Sequence, residues 1–311
     1  MQRGQRPIWI LIGFMALTTM IALYVTDLTV VWTSNPALPA AVAVLFGLSL
    51  YFRYQRPRHQ IAVMCETATQ MLMLLILGIL LSYAGTAADF PLRDAELYRL
   101  DVTMGFSHAS YLSYFQSRPW LDTIIGSAYP TLVPQLALLP LLLTACGRTD
   151  HTHRFLFALG IALSLTNLIA VFVPSVSTFY YLDLSPAQIA KMPAEMKSLL
   201  VTIEGLRSDA IQTIRLINLE GLVTFPSFHT AGGLLLAWAA LAIPYLRWFG
   251  VLLNAALIVS TPLVGGHYFI DLFGGAIVAA ISILIAEQYY RRPAIRPATA
   301  DATATSLTPA G

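Results

Sequence analysis

The chain has little charge. Of its 311 residues only 11% are charged, whereas 57% are hydrophobic, and the mean hydropathy is +0.69. A soluble globule of this length needs far more polar side chains to cover its surface. The composition therefore excludes a soluble protein and predicts an integral membrane protein.

Cysteines, basic clusters and processing signals are also scarce. The two cysteines, Cys65 and Cys146, fall within apolar runs, so no disulfide framework is predicted. The formal net charge is only +2 and no dense basic run occurs, which argues against a nucleic-acid partner. No A-x-A-like cleavage site follows the first apolar run, which we therefore interpret as an uncleaved first span.

What the chain does contain is a series of apolar runs near the length of about 20 residues that a spanning helix needs. They predict an all-α integral membrane bundle of about eight transmembrane helices. A single membrane domain is expected over 1–292, followed by a disordered cytoplasmic tail over 293–311 that is rich in Pro, Ala and Thr. The predicted spans are 7–25, 30–52, 61–84, 120–146, 155–176, 231–250, 251–265 and 267–290.

Arginines mark alternate connections between these runs. Under the positive-inside rule those connections, and both termini, are expected in the cytoplasm, and the long loops 85–119 and 177–230 outside. A bacterial cytoplasmic membrane is the expected setting. The arginines on which this orientation depends are Arg3, Arg6, Arg53, Arg56, Arg58, Arg148, Arg154, Arg247, Arg291, Arg292 and Arg296.

The two outer loops contain helical signals. Between Asp94 and Met104, apolar residues recur at helical spacing among carboxylates, which is consistent with a short amphipathic helix on the surface or with a solvated loop. In the second loop, a capping-box pattern at Ser185 opens a predicted helix that runs to about Leu206.

Two short segments bring titratable side chains to the outer face. Ser227 is suited to be the N-cap of the sixth span, and His229 follows in its first turn, where unpaired N–H groups favour phosphate. His267 and Asp271 open the last span at i and i+4, so they share one helix face. We therefore expect these three titratable residues at one membrane face.

The spacing of His267 and Asp271 allows the carboxylate to hold one imidazole nitrogen and leave the other free as a nucleophile. A carboxylate at the centre of a spanning helix costs about 2.5–3.5 kcal/mol, so it requires a compensating role. Taken singly, His229 could be a helix cap and the other two a structural hydrogen-bonded pair. Their gathering on one side favours a functional site.

The two segments resemble the second and third signature motifs of the type 2 phosphatidic acid phosphatase superfamily, P-S-x-H and S-R-x5-H-x3-D. Ser260, His267 and Asp271 fall on the third spacing, with Thr261 at the arginine position. The variant, with F-P-S-F-H and H-Y-F-I-D, is most similar to the branch of fungal inositol phosphorylceramide synthase and its bacterial relatives. The resemblance extends loosely over 85–290, which implies a six-helix phosphatase-like core.

The resemblance implies a lipid phosphate substrate and phosphoryl transfer. His267 would attack phosphorus to give a phosphohistidine, and Asp271 would orient it. His229 would protonate the leaving alcohol and then activate the acceptor, while Ser227 and nearby N–H groups would bind phosphate oxygens. Water as acceptor gives a lipid phosphatase and an alcohol gives a phosphotransferase; the sequence leaves both open.

The cation that binds the phosphate is not evident. The first signature, K-x6-R-P, does not occur: Arg118-Pro119 supplies its final pair, but Tyr111 stands at the lysine position. The outer candidates for a phosphate-binding cation are therefore Arg118, Arg207 and Arg215.

Neither a metal nor another cofactor is predicted, because the outer loops contain no cluster of carboxylates of the kind that binds magnesium. His108, and His151 with His153, are expected to be solvated loop residues, since H-x-H alone is a weak metal signal. A polar patch in the third span, Glu66 with Thr67 and Gln70, is interpreted as interhelical hydrogen bonding or as a relay.

Two other functions remain open. A transporter would place its site at the midplane between repeats, which the sequence does not display. A non-catalytic relative would explain the missing first signature and Thr261. Membrane lipids are the expected surroundings in every case, and the sequence names no protein partner.

Overall fold

The computed structural model describes residues 4–182, 194–217 and 219–291. Its first helices are α1 (Arg6–Val25), α2 (Ala37–Tyr54), α3 (His59–Ala87), α4 (Asp94–Thr103), α5 (His108–Gln116), α6 (Pro119–Gly126) and α7 (Leu132–Ala145). They are followed by α8 (Thr149–Phe172), α9 (Thr178–Tyr181), α10 (Ala194–Arg207), α11 (Phe228–Ala240), α12 (Arg247–Val264) and α13 (Phe269–Arg291).

The all-α membrane bundle is confirmed. Within the described residues, seven segments are long and apolar enough to cross a membrane. The sixth predicted span, 231–250, differs from the expectation, because α11 ends at Ala240 and a separate helix begins at Arg247. At 13 residues, α11 is shorter than the length of about 20 that a span needs.

The fourth predicted span is one apolar segment made of three helical pieces. After α6, residues Tyr129–Thr131 form a single 3₁₀ turn, and α7 then continues past Pro140. Proline removes a backbone donor and clashes with the preceding turn, so the break near Pro130 follows from the sequence.

Helix α3 lies at the centre of the first half of the bundle, where it packs against α1, α2, α7 and α8. Helix α8 joins this half to the second, because it also packs against α11 and α13. Fully buried leucines such as Leu74, Leu156 and Leu235 fill the space between these helices.

At one end of the bundle the connections are long and structured. The strands β1 (Thr29–Val31) and β2 (Thr213–Arg215) pair in parallel there, with Val31 opposite Arg215. The surface helix expected between Asp94 and Met104 is present as α4, but it buries two of its carboxylates, Asp94 and Asp101.

Two further expectations need correction or lie outside the described part of the chain. His108 and His153, expected to be solvated, are both buried, because α5 packs against the bundle and α8 begins before His153. The predicted helix start at Ser185 and the tail 293–311 lie outside the described residues.

Candidate active site

Helix α11 begins at the site. The Ser227 side chain accepts a hydrogen bond from the Thr230 N–H at 3.2 Å, so Ser227 is the N-cap that the sequence predicted. His229 then lies in the first turn, with its ring stacked on Tyr129 at a centroid distance of 4.1 Å and an interplanar angle of 12°. The Tyr129 hydroxyl lies 3.5 Å from His229 Nδ1.

The turn between α12 and α13 presents the second histidine. Gly266 has a φ of +62°, a left-handed conformation that glycine adopts without steric cost. His267 Nδ1 lies 3.1 Å from Asp271 Oδ2, the same oxygen that accepts the Tyr268 N–H at 2.9 Å. The Asp271 carboxylate therefore accepts two hydrogen bonds, one from the imidazole of His267 and one from the backbone N–H of the next residue.

The two motif segments contact each other directly. The Ser227 N–H donates to the backbone carbonyl of Asp271 at 3.0 Å. At Gly275, one turn further along α13, a Cβ would collide with the Ser227 carbonyl oxygen, so glycine permits this close approach. The rings of His229 and His267 then lie 6.1 Å apart, centroid to centroid. A phosphorus atom between the two imidazoles would be within reach of both.

Burial sets the electrostatics at this turn. His267 is 3% exposed, and desolvation lowers its pKa to about 4, with the Thr224 backbone carbonyl acting in the opposite direction. Its imidazole is therefore neutral near pH 7, as a nucleophile must be. The other oxygen of Asp271, Oδ1, has no hydrogen-bond partner among the described residues.

A family model described as the PAP2 superfamily matches residues 95–285, more than half of the chain. The chain belongs to the PAP2 superfamily. No curated protein and no solved structure matches it. Membership supports an enzyme of the phosphatase or phosphotransferase type, and the match contains both segments of the candidate site.

An apolar cavity adjoins the PAP2 motif segments. Its volume is about 150 Å³, and both His229 and His267 lie on its wall. Side chains from α3, α7 and α8, which are mainly leucines and other apolar groups, form much of the wall, and Tyr129, Leu199 and the segment 221–224 complete it. Thr166 and Asn167 add polar groups on α8. A hydrocarbon chain would fit this lining, and the histidines would meet its polar end.

The PAP2 arginine position is occupied differently here. The hydroxyl of Thr261 donates to the Leu257 carbonyl of its own helix at 3.0 Å, and that of Ser260 to the same carbonyl at 2.7 Å. Both side chains are fully buried. Thr261 therefore does not substitute for the missing arginine as a phosphate donor.

The three candidate cations lie in different places. Arg207 lines a small cavity of about 30 Å³ that shares Ser82, Asn167 and Thr224 with the histidine cavity. Its guanidinium pairs with Asp89 at 2.6 Å. Arg118 lies over the Tyr114 ring at the start of α6, and Arg215 is exposed in β2. Neither lines the two cavities, so the structure brings only Arg207 towards the histidines.

Sequence reasoning did not find three side chains around the site. Tyr129 contacts His229, whereas Asp94 and Asp101 contact the turn that contains His267. Burial raises the pKa of both carboxyls, and the N–H donors bound to them act in the opposite direction. One signal was available: Asp94 and Asp101 are seven residues apart, two turns along one helix face.

Proposed function

We propose that this protein transfers a phosphoryl group from a membrane lipid phosphate through a phosphohistidine on His267. The observation that carries the proposal is the geometry of three side chains at one cavity wall. Asp271 holds one nitrogen of His267 at 3.1 Å, and the His229 ring lies 6.1 Å from the His267 ring. Neither histidine is a solvated surface residue.

In the first half-reaction, Nε2 of neutral His267 attacks phosphorus and the ester P–O bond breaks. His229, protonated in the substrate complex beside the phosphate anion, gives this proton to the departing alcohol oxygen and becomes neutral. The phosphohistidine retains the proton on Nδ1, and the adjacent Asp271 carboxylate stabilises the cationic ring. In the second half, the acceptor gives its proton to His229 and attacks phosphorus, the N–P bond breaks, and neutral His267 is restored.

The phosphate oxygens would be held at the N-terminus of α11. Ser227 is fully buried and caps α11 by accepting from the Thr230 N–H, so its hydroxyl proton remains for a phosphate oxygen that reaches the start of the helix. The first N–H groups of α11 have no partner within the helix, and the helix dipole favours an anion there. Arg207 would leave its ion pair with Asp89 and bind the substrate phosphate instead, which supplies positive charge.

The enclosed site favours transfer over hydrolysis. His267 is 3% exposed and faces an apolar cavity, which limits the access of water to a phosphohistidine. A lipid alcohol can enter the same cavity. We therefore propose a lipid alcohol as an acceptor alongside water, as in inositol phosphorylceramide synthase-like enzymes, which the variant motifs resemble.

The test is to incubate the purified protein in detergent with a panel of lipid phosphates and phosphodiester donors, with and without alcohol acceptors. Free phosphate and transferred product are both measured. We expect phosphoryl transfer that His267→Gln abolishes. The matched control is His151→Gln, because His151 is an exposed histidine in α8, remote from the site. Absence of both products over the whole panel would refute the proposal.

The phosphate-binding role of Arg207 has its own test. Arg207→Ala should reduce kcat/KM by roughly 10–100-fold, since charge-assisted hydrogen bonds to phosphate contribute about 1.5–3 kcal/mol. Arg118→Ala and Arg215→Ala are matched controls with smaller expected effects. A larger loss in either control than in Arg207→Ala would move the cation to that residue.

We also propose that the site faces outward from a bacterial cytoplasmic membrane, on the basis of the arginine distribution. Cys146 is exposed and lies at the end remote from the histidines, so it can serve as a native probe. An impermeant thiol reagent applied to intact cells should label Ser110→Cys when both native cysteines have been replaced. In a second variant that keeps Cys146 and lacks Cys65, the reagent should not label Cys146 until the membrane is opened. The reverse pattern would place the site in the cytoplasm.

A further inference from the structure

We propose that Asp94 and Asp101, two buried carboxylates of α4, are positioning residues that fix the backbone around His267. The inference rests on the proposed phosphoryl transfer and adds two residues that act on the site without touching the histidine rings. Neither residue touches either histidine ring in the contacts described above. They act on the residues that flank His267 in the chain.

Asp101 caps helix α13 from a distance of 168 residues in sequence. Its Oδ2 accepts the Phe269 N–H at 2.8 Å, and its Oδ1 accepts the Ile270 N–H at 2.8 Å. Both oxygens of one carboxylate thus bind the first free donors of the helix, immediately after the His267-Tyr268 pair. Since Asp101 is 3% exposed, water does not compete for these bonds.

Asp94 fixes the other side of the turn through Tyr268. The Tyr268 hydroxyl donates to Asp94 Oδ1 at 2.9 Å, and the N–H groups of Val176 and Ser177 donate to the same carboxylate at 3.0 and 3.2 Å. The neighbouring loop in turn binds the residue before His267, because the Thr178 N–H donates to the Gly266 carbonyl at 2.8 Å.

The chain on both sides of His267 is therefore held by groups outside α13. The polar groups that hold it come from α4 and from the loop at 176–178, which α4 also binds. Because Asp101 occupies the first N–H groups of α13, these donors are not available to a phosphate. This assigns different tasks to the two helix starts: α11 faces the anion, and α13 carries a fixed nucleophile.

The test compares Asp101→Asn and Asp101→Ala with Glu96→Gln. Glu96 lies on the same helix, but it is half-exposed and pairs with Arg93. Single-turnover phosphoenzyme formation from an activated phosphate ester should slow by about tenfold in Asp101→Asn and more in Asp101→Ala, with KM within about threefold of wild type. Glu96→Gln should behave as wild type.

A second measurement does not depend on turnover. In protein with ¹⁵N-labelled histidine, the NMR signal of His267 should show a single Nδ1–H tautomer. The signal is assigned to His267 by its disappearance in His267→Gln. In Asp101→Asn we expect this signal to split or shift while the thermal unfolding of the bundle stays cooperative. An unaltered signal together with an unaltered rate would overturn the positioning role. Inactivity of the wild type with an altered signal would instead count against the proposed reaction alone.

Discussion

Buried or half-buried carboxylates occur at both ends of the bundle, but they have different partners. At the histidine end, Asp94 and Asp101 accept hydrogen bonds from backbone N–H groups. At the opposite end, Glu66 pairs with Arg53 and accepts from the Trp9 indole at 2.8 Å, and Glu287 pairs with Arg154 at 3.0 Å. At the histidine end, each buried carboxylate thus binds at least one main-chain N–H, with the Tyr268 hydroxyl and the His267 imidazole as additional donors. At the other end, the carboxylates bind long side chains.

The difference concerns what each pair constrains. A backbone N–H cannot move without moving its helix, so a carboxylate bound to it fixes the main chain. An arginine side chain can follow its partner over several ångströms, so its pair connects helices and tolerates adjustment. Among the described residues, both ends contain buried polar atoms without a hydrogen-bond partner, such as Gln70 Nε2 at the opposite end and Asp271 Oδ1 at the histidine end. The two ends therefore differ in what their carboxylates bind.

The largest effect should separate the two histidines. His267→Gln should abolish turnover and any phosphoenzyme, because it removes the nucleophile. His229→Gln should slow turnover by about 10²–10⁴-fold, yet spare phosphoenzyme formation from an ester whose leaving group needs no proton. Rapid-quench labelling with a radiolabelled activated ester measures both. A phosphoenzyme that survives His267→Gln and vanishes in His229→Gln would reverse the two roles.

Asp271→Asn should come next, with a loss of roughly 10²–10⁴-fold in kcat, because a neutral amide does not stabilise the cationic phosphohistidine ring and its NH2 group, when turned towards Nδ1, favours the wrong tautomer. The fold should be retained, since the amide oxygen can still accept the Tyr268 N–H. Circular dichroism and thermal unfolding provide the control. Full activity in the folded variant would remove Asp271 from the mechanism.

The pH dependence should report the buried imidazole. The rate of phosphoenzyme formation from an activated ester should stay level from pH 7 to about 5 and fall near pH 4, where burial places the pKa of His267. An exposed histidine would lose activity near its ordinary pKa of about 6.5. Burial also lowers the pKa of His108 to about 4.

Because His108 and His267 are neutral in the folded protein, the stability that they contribute is complete above pH 6.5 and is lost as the pH falls towards 4. At pH 5 the loss is about 2 kcal/mol for each histidine. An acid limb of phosphoenzyme formation centred at pH 6.5 would contradict the burial of His267.

The smallest effect on activity should come from the opposite end. Glu287→Gln breaks the pair with Arg154, which should lower the thermal unfolding temperature by a few degrees while kcat is unchanged. Tyr290→Phe, which removes a hydrogen bond to the Gly4 carbonyl at the same end, is a suitable companion variant. A loss of kcat as large as that of Asp101→Asn would show that the two ends are not independent.

The sequence predicted the residues that would carry out the chemistry better than it predicted the residues that hold them in place. Hydropathy located the spans, and the capping pattern and i, i+4 spacing predicted Ser227 as an N-cap and the pair of His267 with Asp271, which the structure shows. Local patterns cannot reveal a carboxylate that caps a helix 168 residues away, so the sequence places Asp101 on a surface helix or in a solvated loop. Nor does hydropathy show that α11 ends at Ala240, since the residues after it remain apolar.

The bond between the Ser227 N–H and the Asp271 carbonyl affects how such a site can be exchanged between proteins. The two segments are 44 residues apart in sequence, and they meet through this hydrogen bond and through the close approach that Gly275 permits. Each segment therefore depends on the other for its geometry. A chimera that takes one segment from a relative and the other from this chain would bring together surfaces that are not complementary. Grafting both segments together with α4, Tyr129 and the loop at 176–178 is the smallest exchange that keeps the contacts around the two histidines.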